Sequence, residues 1–173
     1  MPEPGEELLT ERLRLRRWRP EDEAPMSAVN RDPEVARYLN AATDERSLAA
    51  FHGRVLEHWA TYGYGWWAVE LRDGGGLIGF AGVSHPTFLA PVAHRTELGW
   101  RLARAAWGRG LATEAATAAR DDAFGRLGLD ELIAVIHPDN VRSQRVARKL
   151  GMAVEMHVPH PGLGIDVEIW RTG

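Results

Sequence analysis

The sequence predicts a mixed α/β fold, a sheet flanked by helices, and three features carry that prediction. Trp66–Leu71 and Leu77–Ser84 flank Asp73-Gly74-Gly75-Gly76, a hairpin-turn composition, and so read as two antiparallel strands. From Thr96 to Arg171, segments of strand and helix character alternate in strand–helix–strand–helix–strand order. Within them, Leu132-Ile133-Ala134-Val135-Ile136 is apolar without alternation, as in a strand buried on both faces. With 173 residues, 45% of them hydrophobic, the chain has enough apolar surface for one core. Residues 1–173 are therefore read as one domain, with 1–7 as a loose polar tail.

Taken in order, Leu13 and Leu15 alternate with Arg12, Arg14 and Arg16 at strand spacing. The arginine-rich run Arg12 to Arg19 is read as the solvated face of an edge strand, where charge discourages aggregation. Pro20-Glu21-Asp22-Glu23 opens a helix, with proline and acids in its first turn. Asp32-Pro33 begins a short second helix ending near Asn40, and Asp44 to Trp59 forms a longer one with a stripe of Leu48, Phe51, Val55 and Trp59. Gly79 and Gly82, inside a strand, predict a bulge or a close backbone approach. A proline-rich connection from His85 to Arg95 leads into the strand Thr96–Leu102. Ala116, Ala119, Ala123 and Leu127 then recur at helical spacing, with Gly128 where a C-cap glycine belongs. After the strand Glu131–His137, Asn140 is placed to cap a helix Val141–Leu150 that Gly151 ends. Strands near Met152–Val158 and Ile165–Arg171 close the chain.

The most informative stretch is Trp107-Gly108-Arg109-Gly110-Leu111-Ala112-Thr113-Glu114-Ala115, between a strand and the start of a helix. A helix start offers unpaired N–H groups and about half a positive charge. Glycines there let the main chain close on an anion, so the stretch reads as a phosphate seat or as a turn alone. It is no P-loop, because Leu111-Ala112 follows Gly110 where Lys-Ser/Thr would stand. Nor is it a dinucleotide fingerprint: Asp130 has the spacing of the ribose ligand but precedes the next strand instead of ending it.

The stretch resembles the pyrophosphate-binding signature Gln/Arg-x-x-Gly-x-Gly/Ala of the GNAT superfamily of acyl-CoA-dependent N-acetyltransferases. Gly110 and Ala112 fill the small positions, and Trp107 replaces Gln or Arg, as in the branch of ribosomal-protein N-terminal acetyltransferases. Further matches lie in order along nearly the whole chain: Thr10-Glu11-Arg12-Leu13-Arg14-Leu15-Arg16, Asp32-Pro33-Glu34-Val35, Ile78-Gly79-Phe80, Asn140-x-x-Ser143 and Lys149-Leu150-Gly151-Met152. The resemblance implies a GNAT-type, mostly antiparallel twisted sheet of about six to seven strands, splayed at the cofactor site. It also implies acetyl-CoA as donor, CoA as product, and a primary amine as acceptor, either a protein N-terminal α-amine or a small molecule. A non-catalytic acyl-CoA-binding module of the same fold is the alternative.

On that resemblance, Trp107 and Gly108 belong to the cofactor-binding stretch, and backbone N–H groups of Arg109, Gly110, Leu111, Ala112 and Thr113 would hold the pyrophosphate, with Arg104 or Arg109 adding charge. The pantetheine arm would pair along Leu98, Gly99, Trp100, Arg101 and Leu102, where a main-chain N–H can polarise the thioester carbonyl. Such oxyanion donors are worth about 3 kcal/mol each. An amine must be neutral to attack, and Glu97, acting through water, is the candidate base; an exposed strand-start carboxylate is the other reading. His85 is a second candidate base, or a solvated loop histidine. Many GNAT enzymes carry a tyrosine seven residues beyond the capping Asn; this chain has Ala147 there, which leaves Ser143 or water near the leaving thiolate. Asn140 can both cap its helix and meet the pantetheine amide. Tyr38 and Trp59 lie on the helices expected to wall the acceptor site, as substrate contacts or as core.

Composition narrows the remaining classes. A net charge of −3 and no dense basic run argue against nucleic acid, and the charge favours cationic amines weakly. No apolar run is long enough for a membrane span or a signal sequence, so the expectation is a cytoplasmic protein. No cysteine is present, and Pro159 between His157 and His160 denies them a shared helix face, so no metal site is expected. Seven tryptophans, if exposed, would permit a homodimer.

Overall fold

The computed structural model describes residues 5–39 and 43–172. Eight strands form one sheet: β1 (Glu7–Leu9), β2 (Leu13–Arg16), β3 (Trp66–Leu71), β4 (Leu77–Ser84), β5 (Glu97–Leu102), β6 (Ile133–Ile136), β7 (Met152–Pro159) and β8 (Asp166–Thr172). Their order is β1-β2-β3-β4-β5-β6-β8-β7. Every neighbouring pair is antiparallel except β5 and β6. The helices are α1 (Glu23–Arg31), α2 (Pro33–Ala36), α3 (Glu45–Tyr62), α4 (Leu111–Gly125) and α5 (Val141–Lys149). This is the expected mostly antiparallel mixed α/β sheet, with one further edge strand. That strand begins at Glu7, the last residue of the expected tail; residues 1–4 of the tail and Asn40, the expected end of the second helix, lie outside the described residues.

Several local expectations need correction. The arginine run is no solvated edge, because β2 lies between β1 and β3. Arg16 is buried, with Nη1 and Nη2 2.8 and 2.9 Å from the two Asp22 oxygens and Nε 2.8 Å from Glu70. A 3-10 turn, Pro20–Asp22, precedes α1 because the Asp22 carboxylate is held on Arg16 and on the Arg19 N–H. The second helix stops at Ala36, four residues short of the expected end. α4 ends at Gly125, before Leu127; Gly128, at φ 67°, turns the chain so that the Leu129 N–H returns to the Ala123 carbonyl. No tryptophan is among the exposed large hydrophobic residues, so exposed tryptophans give no support to the expected homodimer. Trp59 is 3% exposed and donates to the Trp66 carbonyl, which makes it core and not a substrate contact.

The glycines of β4 answer to sterics. A Cβ on Gly79 would lie 2.0 Å from the Arg101 carbonyl oxygen, and one on Gly82 would lie 2.3 Å from that of Gly65. A register shift between Val69 and Glu70 marks a bulge opposite Gly79. These close approaches seat β4 tightly between β3 and β5. Beneath them the alanine face of α4 (Ala115, Ala116, Ala119, Ala123) packs into the main core, each residue at most 2% exposed.

The feature that positions the site is the parting of β5 from β6. The two parallel strands meet at one pair, Glu97 with Ile133. Beyond it, Leu98 to Leu102 pair with β4 on one side and with no strand on the other. Among the described residues no helix is long and apolar enough to cross a membrane.

Candidate functional site

A cleft of about 980 Å³ opens where the strands part. The first turn of α4 forms one end, the free side of β5 its floor, and α2, α3 and the β4–β5 and β7–β8 loops its far walls.

At the α4 end, Gly108 and Gly110 adopt φ of 73° and 75°, left-handed values that disfavour other residues. No side chain caps α4, so its first N–H groups, on Leu111, Ala112 and Thr113, lack intrahelical acceptors, and these three residues line the cleft. Trp107 anchors the turn by donating Nε1–H to the Leu102 carbonyl at 2.9 Å. From the opposite side Arg12 holds it, with Nη1 2.8 Å from the Arg109 carbonyl and Nε 2.7 Å from Glu114. Thr10 Oγ1–H and the Arg12 N–H also donate to Glu114. Burial works to raise the Glu114 pKa, but these donors overcome it and hold the carboxylate below its ordinary value.

Leu98, Gly99, Trp100, Arg101, Leu102, Trp107, Gly108, Gly110, Leu111, Ala112, Thr113, Asn140 and Ser143 all line the cleft. Arg104 and Arg109 do not: Arg104 Nε is 3.3 Å from Asp32, and Arg109 is exposed outside the lining. The cations at this end are Arg142, Arg145 and Lys149, none of which the sequence marked as a cofactor contact. They share one face of α5 by their spacing, and Arg142 lies 4.3 Å over the Trp107 ring. Asn140 caps α5 through a bond from the Ser143 N–H, 3.2 Å, and its side-chain NH₂ meets no acceptor among the described residues. Ala147 is fully buried, so a longer side chain there would meet the core.

On the floor, β5 alternation places Glu97, Gly99 and Arg101 on one face. Glu97, at the parting point, is half-buried as a residue, but its carboxyl sits deep against protein and takes the Val135 N–H. Burial pushes its pKa up to about 7, against the opposing pull of that N–H and of Arg101. Glu97 is thus no solvated strand-start carboxylate. Arg101 is pushed down to about 10 by burial, with Glu97 opposing, and it stays charged at neutral pH. Its Nη1 donates to Asn30 Oδ1 at 2.7 Å.

His85 lines the far wall, 3.0 Å by Nε2 from the Tyr64 hydroxyl and 3.3 Å by Nδ1 from the Arg95 carbonyl. A carbonyl can only accept, so neutral His85 carries its proton on Nδ1 and accepts the Tyr64 O–H at Nε2. His58 likewise gives Nδ1–H to the Tyr64 carbonyl at 2.9 Å, which leaves a buried, unpaired Nε2. Desolvation first, then the neighbouring His85, lowers the His58 pKa against that bond. Tyr38 lines the cleft beside His137, ring centroids 4.9 Å apart. His160 lines it too, its Nδ1 accepting the Gly162 and Leu163 N–H groups.

The arrangement has counterparts. Residues 12–153 match the acetyltransferase (GNAT) domain model. The YkkB protein of Bacillus subtilis (strain 168) is 32% identical over 148 residues, 84% of each chain. An acetyltransferase from Agrobacterium tumefaciens str. C58 superposes with a TM-score of 0.83 at 30% identity, covering 96% of this chain and 94% of its own. A spermidine N-acetyltransferase from Vibrio cholerae, in complex with CoA and spermine, shares the fold with a TM-score of 0.75 at 19% identity, covering 94% and 95%.

Proposed function

The chain belongs to the GNAT acetyltransferase family and is an N-acetyltransferase, and from that premise we propose that it moves an acetyl group from acetyl-CoA to a primary amine by direct attack on the thioester. One observation carries the reading: the uncapped first turn of α4 and the unpaired side of β5 face the same cleft, with Glu97 at its apex.

These groups suit the coenzyme. The Leu111, Ala112 and Thr113 N–H groups would take the pyrophosphate, the glycines before them leaving it room, while Arg142, Arg145 and Lys149 supply charge. The β5 main chain from Leu98 to Leu102 would receive the pantetheine arm in the manner of a further strand, with Asn140 NH₂ beside it. When bound, acetyl-CoA supplies an acetyl group activated as a thioester. Glu97, at about 7, is poised to accept a proton from the incoming ammonium at neutral pH, directly or through water. His85 accepts the Tyr64 O–H hydrogen bond at Nε2, which favours a wall-orienting role and leaves it the second candidate base. Ser143, half-buried on the cleft side of α5, is the hydroxyl at hand for the leaving thiolate. The acceptors that fit this reading are small-molecule amines and protein N-terminal α-amines, the latter favoured by the Trp107 signature.

Thiol release from acetyl-CoA with a panel of amines tests the reaction. Ala112→Glu tests the seat: it puts a carboxylate in the first turn without the backbone strain a substitution at Gly110 carries. Coenzyme affinity should fall at least tenfold with circular dichroism unchanged; unchanged affinity overturns the assignment of the seat.

A further inference from the structure

The acceptor end of the cleft is an aromatic surface edged by unused hydrogen-bond donors. Trp66, Phe80 and Phe51 form a stack on its floor, with Trp66–Phe80 centroids 4.4 Å apart and Phe51–Trp66 5.8 Å. The Trp66 indole N–H is buried without a partner beside Gly99, where an added Cβ would come within 3.1 Å of Nε1. Arg101 lies along the same rings, 5.1 Å from Phe80 and 5.7 Å from Phe51, and spends one of five donors, on Asn30. Arg54 follows Phe51 by three residues on the stripe of α3 that lines the cleft, and it is exposed with no acceptor among the described residues. Arg101 and the indole N–H thus edge one aromatic platform, and Arg54 lines the same cleft from α3. The carboxylates lining the cleft, among the described residues, are Glu97 at the apex and Glu34, whose nearest cation is Arg37 at 3.9 Å.

A polycation has little to bind on such a surface. A desolvated guanidinium with unused donors costs free energy until an acceptor meets it. Guanidinium forks match planar carboxylates in geometry. We propose that the acceptor is a small amine that also carries a carboxylate, an amino acid or close analogue with an apolar or aromatic body. Arg101 and Arg54 hold the carboxylate, the Phe51–Trp66–Phe80 stack takes the body, and the amine faces Glu97. The inference rests on the transferase reading above and narrows it. It also reverses the bias that the net charge of the chain suggests, since the local lining decides what approaches.

The test is thiol release at saturating acetyl-CoA with phenylalanine, phenylalaninamide, phenethylamine, a neutral N-terminal tetrapeptide and spermidine, rates expressed per neutral amine. Phenylalanine should exceed its amide and phenethylamine at least tenfold in kcat/KM. Arg54→Ala, a surface change, should remove most of that preference through KM while acetyl-CoA affinity stays constant; Arg54→Glu should invert it. Preference for spermidine, the tetrapeptide or either uncharged-body amine overturns the inference and leaves the transferase reading standing. So does an Arg54→Ala enzyme with the preference intact. No turnover with any of the five, coenzyme binding intact, overturns both.

Discussion

Arg12 grips the glycine turn and the helix behind it at once: its Nη1 is 2.8 Å from the Arg109 carbonyl and its Nε 2.7 Å from Glu114. Glu114 sits in the first turn of α4, close to where a diphosphate would bind, so its charge needs neutralising. Arg12→Ala should therefore weaken acetyl-CoA binding about three- to tenfold, read by calorimetry. Arg12→Ala with Glu114→Gln should recover part of the loss, since the uncompensated carboxylate is then gone.

Glu97 sets a pH signature. With its carboxyl near 7, kcat/KM for an amine should rise about tenfold per pH unit below that value, after correction for amine ionisation. Glu97→Gln should flatten this limb and lower the plateau by about 10²-fold, a general-base contribution. Stability follows the same group with a defined sign. An acid raised from 4.5 to about 7 favours the fold while protonated; that contribution is complete below 4.5 and is lost as pH rises through 7. Denaturant titrations across this window should show a steeper decline for the wild type than for Glu97→Gln.

Asp22 has the opposite sign. Burial alone would raise its pKa, but the Arg16 fork and the Arg19 N–H win and hold it below its ordinary value. The stability it contributes is present above the unfolded carboxyl value and is lost as pH falls through the lowered one. Asp22→Ala would leave Arg16, 6% exposed, with Glu70 as its remaining anion, and should destabilise by about 3 kcal/mol in chemical denaturation at pH 7.

The Tyr64–His85 bond separates positioning from catalysis. Tyr64→Phe leaves the Nε2 lone pair of His85 without its donor, 3.0 Å away in the wild type. If His85 only shapes the wall, kcat should change by less than about threefold and the pH limb should stay at Glu97. A larger fall in kcat, with a limb that no longer follows Glu97, would assign the proton to His85 instead.

The glycine turn and helix start of the proposed phosphate seat were legible because they are local: two glycines, a tryptophan and a helix start lie within nine residues, and backbone geometry follows from them. The antiparallel hairpin and the buried β6 strand were legible for the same reason, since period and turn residues are near neighbours. Glu97 was placed correctly at a strand start, but its burial was not visible, because Val135 and Arg101 enclose it through the tertiary fold. The Arg12–Arg19 run was misread because solvated and buried arginines look alike until Asp22 and Glu70 arrive from other elements. The α5 cations lie within one helix, but which side of it meets the cleft is set by packing, and the aromatic platform draws on α3, β3 and β4, far apart in sequence.

The single rung between Glu97 and Ile133 has a consequence for how tolerant the enzyme can be of change. A fork has a vertex, and here the vertex carries Glu97, the proposed proton acceptor. Any alteration that zips the strands one residue further, or frays them one residue back, relocates the branch point relative to Glu97 and with it the place where an amine can react. Selection on chemistry and selection on strand register therefore act on the same two residues, and drift elsewhere in the sheet is free only while that junction stays put.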